Sequence, residues 1–220
     1  MLQNPVFIFE RFSHLFLSGM WMTIQVSFVT ILGGTILGSL IAICKMSKIK
    51  PLQFLVTAYI EIIRCTPLLL QLYIFTFGLP LTLGINLPMS VAVHIALILN
   101  SSAYVAELIR SGIQAVDKGQ AEAARSLGLN PFQTVFRVVL PQGIKNILPS
   151  LGSEFIMLIK ETSLASLFFL GDLMTVVATL RSSHFLVLEP LIVAGALYFI
   201  VCFTLSKVVA AYERRLAASD

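Results

Sequence analysis

No residue between Arg11 and Lys45 carries a charge. About 20 apolar residues carry a helix across the hydrocarbon core of a bilayer, so this interval predicts one long or tilted spanning helix over 15–44. Inside hydrocarbon the backbone must satisfy its own N–H and C=O groups, which leaves helices and closed barrels as the choices. The whole chain of 220 residues follows suit, with 57% hydrophobic and only 12% charged residues and a mean hydropathy of +0.92. A soluble domain carries about 25% charged residues. The expectation is an all-α integral membrane protein, a single transmembrane domain over 1–220. Five helices are expected, near 15–44, 52–77, 89–109, 147–169 and 190–207.

Charge sets the orientation. Of the 15 Lys and Arg residues, Lys45, Lys48, Lys50, Arg110, Lys118, Arg125, Arg137, Lys145, Lys207, Arg214 and Arg215 fall on one side of that arrangement. Basic residues favour the cytoplasmic face, so the amino terminus is expected outside and the carboxyl terminus inside. The net charge of +4 then belongs to membrane sidedness. Nucleic acid is a poor partner, since no basic stripe interleaves with exposed aromatics. The first residues lack the basic region of a cleavable leader, so the first span is expected to stay. Cys44, Cys65 and Cys202 form no CxxC pair, and His14, His94 and His184 are not spaced for a metal, so no metal site is expected. The segment 171–188 is apolar yet contains Arg181; it is read as interfacial or re-entrant, with Asp172 able to cap a helix there.

The longest polar interval, 117–141, is punctuated as two short helices folded together. Asp117 can cap the first, with Gln120 completing a capping box. Gly128 stands where a left-handed residue would end it. Asn130 caps the second, Pro131 takes its first position, Gln133 stands three residues on, and Pro141 is expected to stop the run. A helix–glycine–helix knuckle between membrane spans suits docking to a partner.

Several spans hold polar groups. Glu61 and Arg64 are three apart and would share a helix face as a structural intramembrane pair. Glu154 and Glu161, seven apart, fall nearly on one line of the fourth span, with Lys160 beside them. A carboxylate at mid-bilayer costs about 2.5–3.5 kcal/mol on insertion scales, so these groups require partners, water or a solute. The reading is a polar cavity for a zwitterion: Glu154 and Glu161 for a cationic group, Lys160 as a further contact, Asn100 and Gln71 as neutral hydrogen-bonding groups, and Asp172 at the outer end as a contact or gate. The plain alternative is that Lys160 and Arg64 merely neutralise the glutamates. A lone His94 reads as a satisfied core residue. There is no Gly-x-x-x-x-Gly-Lys-[Ser/Thr] loop to bind ATP, and nothing supports chemistry on covalent bonds.

Glu122-Ala123-Ala124, Gly128, and Val138-x-Leu140-Pro141 together resemble the EAA loop of ABC-importer membrane subunits, with Val138 where that pattern usually has isoleucine. Glu61-x-x-Arg64-x-Thr66-Pro67-Leu68-Leu69-x-Gln71 is similar to a signature of the polar-amino-acid branch, with Cys65 where glycine is usual. The resemblance implies a type I importer fold, with Glu122, Ala123, Ala124, Arg125 and Gly128 as the coupling element that docks an ATPase. It implies two ATP-binding cassette subunits that bind ATP and Mg, a second permease subunit (a homodimer or close hetero-pair), and an extracytoplasmic solute-binding protein in a bacterial inner membrane. No cofactor is expected in this chain. The carboxylates on span four point to a cationic amino acid, with glutamine close behind. The rivals are an ion-coupled secondary amino acid transporter with Glu154, Glu161 and His94 as a proton relay, and a membrane scaffold that moves no solute.

Overall fold

The computed structural model describes residues 4–217; the first three residues, part of the stretch in which no leader was recognised, lie outside them. Among the described residues every regular element is a helix. Helix α1 (Pro5–Met46) starts ten residues earlier than expected, because Pro5 sits at its first position and the Asn4 side chain accepts from Val6 N. Its 42 residues rise about 63 Å at 1.5 Å each, roughly twice a bilayer core. Non-helical dihedrals at Phe12 bend it where the charged start meets the uncharged run.

The expected straight helix over 52–77 is not one helix. Helix α2 (Lys50–Arg64) ends before Pro67, which lacks an N–H and disfavours helical dihedrals at the residue before it. Helix α3 (Leu68–Tyr73), a π turn (Ile74–Gly78) and helix α4 (Leu79–Leu83) then run at 106° to α2.

Helix α5 (Met89–Gln114) packs most extensively against α1. A Cβ built on Gly38 would stand 2.8 Å from the Ser102 carbonyl oxygen and 2.9 Å from Val105 Cβ, and one on Gly34 would collide with Ser101 Oγ. The Gly34-x-x-x-Gly38 pair is therefore used inside the chain, for close approach of two helices. Lys45 of α1 reaches Glu107 of α5 at 2.9 Å, and Glu107 also takes Arg110.

The knuckle consists of α6 (Lys118–Ser126) and α7 (Pro131–Thr134). Pro141 does not stop the second helix. A π turn over Val135–Val139, in which Leu140 N bonds Val135 O, carries the chain straight into α8 (Leu140–Glu161) and a 3-10 turn (Thr162–Phe168). Helix α9 (Leu173–His184) follows at a 41° bend, with Asp172 as its cap, and helix α10 (Leu188–Ala217) outruns the expected 190–207.

Among the described residues three helices, Pro5–Met46, Met89–Gln114 and Leu188–Leu216, are long and apolar enough to cross a membrane; the two bent pairs raise the number to five if each counts as one span. Three apolar clusters hold the bundle: α1 with α9 and α10 around Phe16 and Leu173, α1 with α3 and α5 around Leu72 and Leu97, and α1 with α2 and α5 around Ile60 and Ala106. Helix α9 is thus packed into the protein, with Leu173, Val176, Val177 and Leu180 buried.

Candidate functional site

Two places concentrate what the sequence singled out: the knuckle at the Lys-rich end of the bundle and a polar cluster midway along it.

The knuckle is built by local capping. Asp117 Oδ1 accepts from Gly119 N at 2.6 Å. Gln120 closes no capping box; it accepts instead from Gln142 Nε2 at 3.2 Å, which ties α6 to α8. At the far end Leu129 N bonds Ala124 O and Gly128 N bonds Arg125 O, with Gly128 at φ +89. That double closure is the Schellman arrangement, which requires a left-handed residue. Asn130 and Gln133 then form a reciprocal capping box, at 2.9 and 3.1 Å. Ala124 is buried under this fold, while Glu122, Ala123, Arg125 and Gly128 face outward.

Beside them stand exposed apolar groups that sequence reasoning missed: Leu127 at 82%, Phe132 at 69% and Phe136 at 53%, with the two phenyl rings 4.3 Å apart. The signal was there, since Phe132 and Phe136 are four apart in a polar loop that buries neither. The knuckle is anchored to the spans at its base. Asn146 Nδ2 donates to Gly112 O at 3.2 Å, and a Cβ on Gly143 would stand 3.2 Å from Ile113 Cγ1. The base of the knuckle is thus joined to α5 as well as to α8.

In the midsection, the break after α2 is held by Gln71. Its Nε2 donates to Ile63 O at 2.8 Å and to Thr66 Oγ1 at 2.9 Å, and its Oε1 accepts from Asn100 Nδ2 at 2.9 Å. Both amides are buried, at 5% and 3% exposure, and are occupied with shaping the bend. Asp172 is likewise occupied: its carboxylate accepts from Met174 N at 3.0 Å and from Thr175 Oγ1.

The expected Glu61–Arg64 pair does not close. Both side chains are exposed, no ion pair joins them, and Arg64 lies instead over the Tyr104 ring of α5, 5.6 Å from its centroid. Arg64 is the last residue of α2, so the bend frees it to swing toward α5.

Glu154 and Glu161 keep the shared face read from their spacing. Glu154 is 9% exposed, and among the described residues no hydrogen bond or ion pair holds either carboxylate. Glu161, Arg64 and Glu154 all lie within electrostatic range of the Tyr104 hydroxyl. Lys160 is exposed, within range of Glu161 and of Cys202 on α10. Glu154 opens onto a cavity of about 350 Å³ lined also by Ser150, Ser153, Met157, Leu108 and Glu213. Glu213 entered the site unforeseen, being an acidic residue in an otherwise basic tail. His94 is satisfied by the Ser90 carbonyl at 2.7 Å. It lies fourteen residues from Leu108 on the same helix, about 21 Å along the axis, too far for a direct proton relay with Glu154.

The profile described as "Binding-protein-dependent transport system inner membrane component" matches residues 34–218. An arginine transport system permease protein of Bacillus subtilis (strain 168) is 40% identical over 204 residues, 93% of each chain. A probable glutamine ABC transporter permease protein of the same organism is 38% identical over 216 residues, 98% of this chain and 99% of the relative. Among solved structures, an amino acid ABC transporter with histidines superposes with a TM-score of 0.93 at 44% identity, covering 98% of this chain and 100% of that one.

Proposed function

Since the chain belongs to the family of binding-protein-dependent transport system inner membrane components, we infer that it is the membrane subunit of an ATP-driven importer for a polar, cationic amino acid. Such a subunit carries no ATPase of its own; ATP and Mg belong to its cassette partners. The observation that carries the cationic reading is Glu154 and Glu161, two carboxylates on one face of α8 that no hydrogen bond or ion pair holds among the described residues. At mid-bilayer depth an unpaired carboxylate is costly, and a passing ammonium or guanidinium group offsets that cost.

The relatives' names include both arginine and glutamine systems, which keeps the substrate among polar amino acids. Glu122 to Gly128, with the exposed Leu127, Phe132 and Phe136, is the surface we assign to the ATPase cleft. A second permease subunit would complete the pathway, and a solute-binding protein would feed it from the far side. In this arrangement the Lys-rich end faces the cytoplasm, the amino terminus lies outside, and each bent pair serves as one of five spans.

The test is uptake by the permease–ATPase complex reconstituted with its binding protein, run with a panel of amino acids. Glu154→Gln and Glu161→Gln are expected to cut arginine or lysine uptake at least tenfold while leaving capture of the ATPase intact. Unchanged affinity and selectivity in both variants would end the cationic reading.

A further inference from the structure

The failure of the Glu61–Arg64 pair leaves an exposed guanidinium at the level of the polar cluster with no ion-paired acidic partner among the described residues. Arg64 is fixed there by three features. Its helix ends at Cys65, its plane rests on Tyr104 at 5.6 Å, and the Gln71–Asn100 amide pair holds the bend that lets it point toward α5. Glu161 and Glu154 lie within electrostatic range of the same tyrosine's hydroxyl. Opposite charges thus gather around one tyrosine without closing on each other, and among the described residues no ion pair bridges them. A pair meant only to neutralise itself would have closed, since guanidinium and carboxylate bind in a two-pronged fit.

We propose that Arg64, braced on Tyr104, receives the α-carboxylate of a zwitterionic amino acid whose cationic groups are taken by Glu154 and Glu161. The pathway then selects amino acids over the corresponding amines. This rests on the reading of the two glutamates as a cation site, and it adds a second, oppositely charged half to it. Arginine carries the matching set, with one anionic and two cationic groups on one chain.

The test uses the intact permease–ATPase complex in detergent without binding protein, titrated with radiolabelled arginine and with agmatine, the same molecule lacking its carboxylate. The wild type is expected to hold arginine about 10- to 100-fold tighter than agmatine, the range of a charge-assisted hydrogen bond to a carboxylate. Arg64→Gln should weaken arginine to the level of agmatine and leave agmatine unchanged or tighter. If Arg64→Gln weakens both ligands alike, or leaves arginine untouched, the carboxylate site is overturned. Should that variant fail to assemble, Arg64→Lys carries the test: a reduced preference for arginine supports the proposal and an unchanged one overturns it. A wild type that binds neither ligand overturns the cation site itself, and this half with it.

Discussion

Replacing Gln71 by methionine keeps the side chain's reach and removes its amide. The loss is four hydrogen bonds: to Ile63 O at 2.8 Å, to Thr66 O at 3.2 Å, to Thr66 Oγ1 at 2.9 Å, and from Asn100 Nδ2 at 2.9 Å. Side-chain hydrogen bonds inside membrane proteins average about 0.6 kcal/mol each, which sets a floor near 2 kcal/mol. A buried group left without any partner costs about 1–3 kcal/mol. Asn100, at 3% exposure, meets that condition. The expected destabilisation is therefore about 2–4 kcal/mol, read as a fall in unfolding temperature of the detergent-solubilised protein on the order of 5–10 °C. Uptake should fall further than stability does, because Arg64 loses the bend that sets it on Tyr104. A cycle with Asn100→Leu separates the pair from its surroundings: the double variant should cost less than the two single changes added together. A Gln71→Met protein that melts within 1 °C of wild type and transports normally would refute the claim that this amide shapes the break.

Four further outcomes follow from the same structure. Gly38→Val places a Cβ 2.8 Å from the Ser102 carbonyl; overpacking of this kind costs about 1–3 kcal/mol, visible as a lower melting temperature, and no loss would mean α1 and α5 can part freely. Gly128→Ala forces a side chain into a left-handed position at φ +89, at about 1–2 kcal/mol; ATPase capture in pull-down should weaken while the bundle's melting temperature barely moves, and Gly128→Asn should be milder. Glu154→Gln and Glu161→Gln should lower uptake of cationic amino acids, and Arg64→Gln should erase the preference for arginine over agmatine, each read in the assays described above.

How much was legible depends on whether a feature is local. The knuckle's caps were readable because each involves residues two to five apart: Asp117 on Gly119, Asn130 with Gln133, Gly128 on Arg125 and Leu129 on Ala124. Gln120 was misread because its partner, Gln142, lies twenty-two residues away on another helix. The shared face of Glu154 and Glu161 follows from helical period alone and survives Pro149 inside α8. The Glu61–Arg64 pairing was read from a shared helix face, and both residues do lie on α2; it fails because Arg64 is the last residue of that helix and its guanidinium turns to Tyr104 of α5. Gln71 and Asn100 read equally well as cavity-lining amides; only the bend shows that their hydrogen bonds are already spent on Ile63, Thr66 and each other.

The prolines show what decides between a bend and a continuing helix. Each removes an N–H and crowds the carbonyl four residues back. At Pro80 and Pro141 the chain widens into a π turn, so that Leu79 N bonds Ile74 O and Leu140 N bonds Val135 O, and the helix runs on. Before Pro67 the freed carbonyls find side-chain donors instead: Ile62 O takes Thr66 Oγ1 at 2.8 Å and Ile63 O takes Gln71 Nε2 at 2.8 Å. With those groups satisfied, nothing compels the backbone to stay helical, and it turns through 106°. In hydrocarbon an unsatisfied carbonyl costs several kcal/mol, so a nearby hydroxyl and amide are enough to choose the bend. Thr66, Pro67 and Gln71 thus act as one device. By ending α2 at Arg64 they leave that guanidinium facing Tyr104, whose hydroxyl also lies within electrostatic range of the glutamates of α8.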